Sequence, residues 1–291
     1  MSEPRPLDAA ALREHPLPPI VDGDKETKGR LLVIAGSRDM PGSPLLTATA
    51  ALRAGAGKLR IATAASAATP VGIAMPEALV VGLAEGDDGG FVGSAVTKLS
   101  DEAAKVDAVV AGPGMEQNDA CARIAEVLLR SDARIALDAA LLHSLEPLPD
   151  QVRRHAPILL PHGKELASLL DVDAEEVERE PVRSGVRAAQ LYRSVVLVKG
   201  VASHVVTPDG SAWRYAGGVP GLGVSGSGDV IAGIVGGLLA RGADPLTAML
   251  WGVWLHGEAG RALAKRVGPL GFLAREIPAE IPALLAQASF E

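Results

Sequence analysis

The sequence predicts an α/β fold in which a central, mostly parallel β-sheet is flanked by helices and a β-meander precedes a late glycine-rich turn. Short runs of aliphatic residues alternate with alanine-rich stretches through the first part of the chain. From residue 195, three short strands follow one another too closely for crossover helices, and a glycine-dense segment then enters an apolar helix. A leader over residues 1–30 and a single domain over 31–291 are the simplest organisation.

The parallel part of the sheet is predicted from six apolar runs. Because helices cover both faces of such a sheet, its strands are expected to be almost continuously hydrophobic. A turn at Pro208-Asp209-Gly210 separates the last two strands of the meander. The predicted strands are residues 31–35, 59–63, 79–83, 108–111, 135–137 and 158–160 in the parallel part, and 195–198, 204–207 and 212–215 in the meander.

Boundary residues place three of the helices. A helix over 44–55 has Ser43 in a suitable N-cap position and Pro44 at its first position. A second helix is predicted over 229–241 and a third over 244–267.

Two features of the late helices are expected to be structural. His256 and Glu258, beside two tryptophans, are predicted to be packing and surface residues. Small residues on the second helix form one face that permits very close packing; they are Gly233, Gly236, Gly237 and Ala240.

Composition and charge narrow the class of protein. The net charge is −7, from 28 basic and 35 acidic residues that are interleaved, so no basic stripe is available for nucleic acid. The single cysteine, Cys121, cannot form an intramolecular disulfide and favours a reducing compartment. The polar, proline-rich N-terminus has no apolar signal core, and the apolar run at 230–240 is too short to span a bilayer. A cytoplasmic protein without membrane or nucleic-acid partners is expected.

The glycine-rich segment over 217–229 is the strongest candidate for binding phosphate. The first turn of a helix presents unpaired backbone N–H groups and a positive dipole end, and glycines let a phosphate approach them. The alternative is a flexible loop with Asp229 serving only the helix end. An acidic residue beside a phosphate site is repelled by the anion, which suggests that Asp229 handles a proton or a metal ion. No Walker-type phosphate loop occurs, and the G-x-G-x-x-G match at Gly221 lacks a following βαβ unit.

A second candidate is the turn that starts at Lys199, between the first two strands of the meander. Its lysine and serine can point towards a nucleotide. The alternative is an ordinary hairpin with a solvated Lys199.

Further candidates follow the parallel strands, where open α/β sheets commonly bind ligands. The loop over 36–44 and the Gly112-Pro113-Gly114 turn can either admit a ligand or simply connect elements, and Asp138 can act as a cap. His162 and Glu165 lie three residues apart at a helix start. His162 can bind substrate and Glu165 can organise magnesium or phosphate through water, or the pair can simply stabilise the helix end.

Taken in order, these motifs resemble the ADP-dependent NAD(P)H-hydrate dehydratases, a family with the ribokinase-like fold, over residues 28–285. Each motif is short, but their ordered set is specific. The matching segments are the 36–43 loop with Ala50-Ala51-Leu52-Arg53-Ala54-Gly55-Ala56-Gly57, Pro76-Glu77-Ala78, Gly112-Pro113-Gly114, Leu137-Asp138-Ala139, Pro161-His162, Lys199-Gly200 and Gly226-Ser227-Gly228-Asp229.

The resemblance implies a role for each matching residue. Asp229 is the implied catalytic residue and also contacts the substrate. The implied substrate-binding residues are Ser43, Gly112, Gly114, His162 and Glu165; the implied nucleotide-binding residues are Lys199, Gly200, Val201, Ala202, Ser203, Gly226, Ser227 and Gly228. The resemblance also implies ADP as co-substrate, Mg²⁺ with no assigned ligand, and a homotetramer.

The sequence departs from the family pattern at three positions. His162-Gly163-Lys164-Glu165 replaces the usual His-Pro-Gly-Glu, Ser43 stands where alanine is common, and Ala140 replaces a frequent aspartate. The leader is too short for the epimerase domain that is fused to many relatives, so we expect only the dehydration half of the repair.

The implied reaction is dehydration of (6S)-hydrated NADH or NADPH with formation of AMP and phosphate. Two alternatives stay open at this point. An aspartate at the same phosphate site equally suits an ATP-dependent kinase of a small alcohol or vitamin precursor. A catalytically silent adenine-nucleotide sensor would need the phosphate site but not Asp229.

Overall fold

A computed structural model describes residues 3–19, 28–143, 145–147 and 154–290. Within these ranges, ten strands form one sheet in the order β1-β10-β9-β8-β7-β6-β5-β2-β3-β4. Strands β2 to β8 pair in parallel, β8, β9 and β10 are antiparallel, and β1 pairs in parallel with β10. The strands are β1 (Arg5–Pro6), β2 (Arg30–Ile34), β3 (Lys58–Ala64), β4 (Ala78–Leu83), β5 (Ala108–Ala111), β6 (Arg134–Leu137), β7 (Ile158–Leu159), β8 (Val195–Val198), β9 (Ser203–Val206) and β10 (Ala212–Tyr215).

Helices cover both faces of this sheet. Those in the described ranges are α1 (Ala9–Glu14), α2 (Ser43–Arg53), α3 (Ala65–Ala74), α4 (Ala95–Ala103), α5 (Ala120–Leu129), α6 (Gly163–Leu170), α7 (Ala174–Arg179), α8 (Pro181–Tyr192), α9 (Ser227–Ala240), α10 (Pro245–Arg266) and α11 (Ile281–Phe290). No helix in the described part of the chain is both long enough and apolar enough to cross a membrane.

The α/β class and the meander are confirmed, and the predicted strands agree with the observed ones to within about two residues. The parallel strands are hydrophobic because both of their faces are covered: Leu31, Leu32, Val33 and Ile34 of β2 are all fully buried. The meander leaves the parallel pattern at β8, because a turn of a few residues can join only antiparallel neighbours.

The start of α2 corrects one prediction. Gly42, not Ser43, is the N-cap, and Ser43 is the first helical residue with its side chain buried. The prediction was wrong because Ser43 is held by tertiary contacts instead of by its own helix end. The late helix α10, in contrast, begins as predicted: Asp244 is its N-cap and accepts hydrogen bonds from the backbone N–H groups of Leu246 and Thr247.

Close packing of α9 is confirmed. Its glycines contact two neighbours, helix α2 and the sheet, and so do not form the single packing face predicted from the sequence. A Cβ at Gly233 would lie 2.1 Å from the carbonyl oxygen of Thr47 in α2, and one at Gly237 would lie 2.5 Å from that of Ala51. Gly236 faces the sheet, where a Cβ would lie 2.2 Å from a methyl group of Val110. Backbone therefore packs on backbone between α2 and α9.

The described part of the predicted leader packs on the domain. Strand β1 extends the sheet beside β10, and Leu7 and Leu12 are buried. The indole Nε1 of Trp251 in α10 donates a hydrogen bond of 2.8 Å to the carbonyl oxygen of His15. These contacts hold the N-terminal segment against the edge of the sheet that is farthest from β4.

Candidate functional site

The candidate site lies at the carboxyl ends of the central strands. Because β2, β5, β6, β7 and β8 run in parallel, the loops that follow them meet at one edge of the sheet. Helix α9 points its N-terminus to the same place, as shown by the contacts of Ser43, Lys199 and Asp229 described below. Most of the predicted site residues are therefore brought together.

Asp229 lies in the first turn of α9, as its third residue. The helix begins at Ser227 after Gly226, which has φ of 86° and lies against Leu46 of α2: a Cβ there would be 2.5 Å from a Leu46 methyl group. Both the left-handed backbone and the close contact require glycine. This turn presents the free N–H groups of α9 together with the Asp229 carboxylate.

Burial raises the pKa of Asp229 to about 6. The Ser43 hydroxyl and the positive charge of Lys199 lower this pKa, whereas the negative charge of Asp138 raises it further. A carboxylate with such a pKa is ionised at neutral pH and is still a stronger base than an ordinary aspartate. Asp229 is therefore suited to accept a proton.

Ser43 and Gly114 join the loops that follow β2 and β5 to Asp229. A Cβ at Gly114, whose φ is 62°, would lie 2.4 Å from the Cβ of Ser43. The buried Ser43 Oγ has no partner in ideal hydrogen-bond geometry within the described residues, although it lies close enough to Asp229 to lower its pKa. A substrate hydroxyl at Asp229 would thus also meet Ser43.

Gly112 is required by the fold itself. Its φ is 120°, and a Cβ there would lie 1.7 Å from the carbonyl oxygen of Asp138. The side chain of Asp138 accepts a hydrogen bond of 3.0 Å from the backbone N–H of Ala139, so the predicted capping role is confirmed. Gly112 thereby fixes the position of a buried acidic residue.

Asp138 also forms an ion pair with Lys199, with 2.8 Å between Oδ1 and Nζ. The side chains are only 4% and 22% exposed, so the alternative of a solvated Lys199 is wrong. Burial raises the pKa of Asp138, and the charge of Glu165 contributes to the rise while Lys199 opposes it. A Cβ at Gly228 would lie 3.9 Å from Nζ of Lys199, so the ammonium group stands beside the start of α9.

The rest of the Lys199 turn reaches the surface. Val201 at its tip is fully exposed, and Gly200 is exposed as well. The turn faces the glycine-rich segment, since a Cβ at Gly218 would lie 3.5 Å from the carbonyl oxygen of Val201. The backbone over 199–203 and the 217–226 segment thus flank a surface beside the α9 N-terminus.

His162 and Glu165 form a capping box at the start of α6. Nδ1 of His162 accepts hydrogen bonds from the backbone N–H groups of Lys164 and Glu165, at 3.1 and 3.2 Å, while Oε2 of Glu165 accepts one of 2.8 Å from the His162 N–H. The helix-end interpretation is confirmed. Because Nδ1 accepts these bonds, Nε2 carries the ring hydrogen; it lies 3.5 Å from Oε1 of Glu165, and the His162 side chain is half-exposed.

Sequence reasoning missed His256. Its Nε2 lies 3.0 Å from Oγ of Ser227, the first residue of α9. Burial lowers the pKa of His256 to about 4, and Lys199 contributes to the fall. Glu258, expected at the surface, accepts a hydrogen bond of 2.8 Å from the Tyr215 hydroxyl. The two residues lie 29 positions after Ser227 and 43 after Tyr215, a separation that leaves no local pattern to detect.

The site therefore combines a helix start with free backbone N–H groups, a lysine ammonium group and a carboxylate of raised pKa. This combination suits transfer of a phosphoryl group to a hydroxyl whose proton Asp229 accepts. Among the described residues, no group of three or more His, Cys, Asp and Glu side chains is arranged to hold a metal ion.

Comparison with known proteins identifies the family. The model of the NAD(P)H-hydrate dehydratase family, Carb_kinase, matches residues 31–283. The chain belongs to the NAD(P)H-hydrate dehydratase family. Among its curated members, an ADP-dependent (S)-NAD(P)H-hydrate dehydratase from Xanthomonas campestris pv. campestris is 47% identical and aligns over 97% of this chain and 96% of its own length.

Solved structures of NAD(P)H-hydrate dehydratases and their relatives share the fold. The ADP/ATP-dependent NAD(P)H-hydrate dehydratase from Bacillus subtilis, co-crystallised with ATP and Mg²⁺, has a TM-score of 0.86 and 27% identity over 99% of this chain and 100% of its own. A ribokinase-like superfamily protein from Enterococcus faecalis has a TM-score of 0.81 and 22% identity over 99% of this chain and 97% of its own. The predicted ribokinase-like architecture is confirmed.

Proposed function

We propose that this member of the family catalyses the ADP-dependent dehydration of (6S)-hydrated NADH and NADPH, which restores the reduced dinucleotide and yields AMP and phosphate. The observation that carries the proposal is the placement of Asp229, a carboxylate with a pKa of about 6, at the N-terminus of α9. The 47% identical dehydratase supports the choice of this reaction over other phosphoryl transfers.

In the first step, Asp229 accepts the proton of the ring hydroxyl while the hydroxyl oxygen attacks the terminal phosphorus of ADP. The bond from that phosphorus to its bridging oxygen breaks, and AMP leaves. Phosphorylation is needed because hydroxide is a poor leaving group. In the second step the lone pair of the ring nitrogen forms a carbon–nitrogen double bond as the carbon–oxygen bond to phosphate breaks. The neighbouring ring carbon then loses a proton to water, which restores the carbon–carbon double bond and the nitrogen lone pair.

Lys199 and the first turn of α9 have the charge needed to bind the nucleotide phosphates. The backbone N–H groups of Gly228 and Asp229, in the first turn of α9, carry the positive end of the helix dipole, and Nζ of Lys199 stands beside Gly228. We assign the adenosine part of ADP to the surface between the 199–203 turn and the 217–226 segment, which includes the predicted residues Gly200, Val201, Ala202, Ser203 and Gly226.

The substrate is assigned to the opposite side of Asp229. Ser43 and Gly114 pack on each other there, and Gly112 fixes the adjoining turn. His162 is the bridged neighbour of Lys199, and its half-exposed ring can donate a hydrogen bond from Nε2 to the dinucleotide. The proposed site thus draws residues from five connections: four follow β2, β5, β7 and β8, and one precedes α9.

Mg²⁺ is proposed as a further component. It commonly keeps several waters and binds through phosphates with few protein ligands, which fits a site where carboxylates are close but no three-ligand group is present among the described residues. Glu165, buried and adjacent to Asp138, can accept a hydrogen bond from a magnesium-bound water. When bound, Mg²⁺ would neutralise charge on the nucleotide phosphates.

Two further properties are proposed on the family relationship. We assign the protein to the cytoplasm because ADP and the reduced nicotinamide dinucleotides are available there. A homotetramer is the expected assembly.

The decisive assay mixes hydrated NADH with ADP and Mg²⁺ and follows both the recovery of reduced-nicotinamide absorbance and the release of AMP. We expect both signals in equal amounts, and neither in the absence of nucleotide. Folded protein that binds ADP but gives no recovery would overturn the proposed activity. ATP-dependent phosphorylation of a stable alcohol would instead identify a kinase, and binding without any turnover would identify a nucleotide sensor.

A further inference from the structure

The contact between His256 and Ser227 joins α10 to the first residue of α9. Ser227 is buried, and its Oγ lies 3.0 Å from Nε2 of His256. The Ser227 backbone N–H donates to the carbonyl oxygen of Val224, and Gly228 and Asp229 follow it in the first turn of α9, where backbone N–H groups have no partner within the helix. A hydroxyl in this position adds one more potential donor to the anion-binding helix start, provided that its hydrogen points outwards.

The direction of the Ser227 hydrogen depends on which form of His256 it meets. Desolvation and the nearby charge of Lys199 keep the imidazole neutral at physiological pH, since they lower its pKa to about 4. A neutral ring has one N–H donor and one acceptor nitrogen. If Nε2 were the acceptor, Ser227 would donate its hydrogen to the ring and turn only lone pairs towards an anion.

The chemistry of a phosphate selects the other tautomer. Phosphate oxygens accept hydrogen bonds, so a Ser227 hydroxyl that contacts one must donate its single hydrogen there. At 3.0 Å from Nε2, the Ser227 oxygen can then only accept from the ring, which requires the hydrogen of His256 on Nε2.

We propose that His256 is a positioning residue for the nucleotide: by donating from Nε2 to Ser227 Oγ, it directs the Ser227 hydroxyl to donate a hydrogen bond to a phosphate oxygen of ADP. The inference rests on the proposed function, because it takes the N-terminus of α9 as the phosphate site. It assigns to His256 a role that acts through Ser227, without contact with the substrate or with Asp229.

Substitutions at His256 separate this role from simple packing. His256→Gln keeps an N–H donor near the position of Nε2, whereas His256→Asn keeps an amide that is one methylene too short to reach Ser227. His256→Leu fills much of the same space without any donor. A hydrogen bond to a charged phosphate contributes about 1.5–3 kcal/mol, so its loss is expected to weaken ADP binding roughly tenfold or more.

The experiment measures the Kd of ADP by calorimetry, the KM for ADP, kcat and Tm for the wild type, these three variants, Ser227→Ala and the double variant Ser227→Ala/His256→Leu. We expect about tenfold weaker ADP binding in the Leu and Asn variants, with near wild-type binding in the Gln variant. At saturating ADP, kcat should change less than KM. The double variant should bind ADP no more weakly than Ser227→Ala, because both changes remove the same hydrogen bond.

Three results would overturn the inference. Wild-type affinity in the Leu and Asn variants, with only a lower Tm, would leave His256 a packing residue. A further tenfold loss when His256→Leu is added to Ser227→Ala would show an action that bypasses Ser227. Wild-type protein that binds no ADP would reject the proposed nucleotide site itself, and with it the role of His256. If His256→Leu does not fold, the Gln and Asn pair still decides between these outcomes.

Discussion

Nζ of Lys199 lies 2.8 Å from Oδ1 of Asp138, although the two residues follow strands β8 and β6, which are separated in the sheet by β7. The ion pair thus crosses the carboxyl end of β7 and joins the nucleotide side of the site to its centre. It also places compensating charges next to Asp229, since Asp138 raises and Lys199 lowers the pKa of that carboxyl group.

Loss of Lys199 should destabilise the protein. In Lys199→Met the buried Asp138 loses its ionic partner, and we expect the free energy of unfolding to fall by about 2–3 kcal/mol at pH 7, measured by denaturant titration. The matched control is Arg130→Met, which removes an exposed i,i+4 pair with Glu126 and should change stability by less than about 0.5 kcal/mol. Equal losses of stability in the two variants would show that the buried ion pair stabilises the protein no more than the exposed one.

Replacement of the proposed base should abolish turnover without preventing binding. Asp229→Asn keeps the size of the side chain but cannot accept the hydroxyl proton, so we expect kcat to fall by about 10²–10⁴-fold while the Kd of ADP stays within a few-fold. Asp244→Asn is the control, because this aspartate caps α10 and asparagine caps equally well. An Asp229→Asn variant with full activity would reject Asp229 as the base.

The rate should follow the ionisation of Asp229. Because the base works only when ionised, kcat/KM is expected to rise with pH and to level off above a midpoint of about 6. In Asp138→Asn the repulsion that raises the Asp229 pKa is lost, so this acid limb should move to lower pH. A pH profile measured from 4.5 to 8 checks both directions, and an unmoved limb in the variant would contradict the electrostatic coupling.

The Asp229 carboxylate should lower the free energy of unfolding at neutral pH. Its folded-state pKa of about 6 exceeds the ordinary value of 3.8, so folding favours the protonated form, and the free energy of unfolding falls as pH rises from about 4 to 6. Asp229→Asn removes this effect and should be more stable than the wild type by about 1–3 kcal/mol at pH 8. The difference in Tm between Asp229→Asn and the wild type should vanish near pH 4. A difference that stays constant with pH would show that ionisation of Asp229 is not its cause.

The glycines between α2 and α9 give a prediction for packing. A Cβ in Gly237→Ala would lie 2.5 Å from the Ala51 carbonyl oxygen, and we expect a loss of about 1–3 kcal/mol. Gly72→Ala on α3 is the matched change at a helical glycine with room, because its nearest neighbour, a Val80 methyl group, is at 3.6 Å. This second variant should be about 0.5–1 kcal/mol more stable than the wild type. Tm measurements compare the two.

The elements of the fold were predictable because their causes are local. Fully buried strands such as β2 need uninterrupted apolar runs, and the N-cap of α10 is satisfied by the side chain of Asp244 alone. The common edge of the site also follows from the sequence, since residues placed after parallel strands must meet at their carboxyl ends. Asp138 and Lys199 could therefore be placed near each other, although not as a pair.

The contacts within the site depend on packing and were not predictable in the same way. Ser43 has the residue type and position of an N-cap, but its contacts with Gly114 and Asp229 decide its conformation. His256 is attached to the site only through the packing of α10 on α9. Residues whose partners are distant in sequence become interpretable only when the helices are placed.

The backbone contact between α2 and α9 also limits how the site can move and how it can evolve. Ser43 and Ser227 begin two helices whose carbonyl groups and glycines touch directly, so thermal motion cannot separate the two ends of the site without disrupting the helices. Any closure around ligands is left to the turns at 199–203 and 217–226. Substitution of a side chain that lines the site would leave the spacing of these two helix starts unchanged, because that spacing is set by backbone contact.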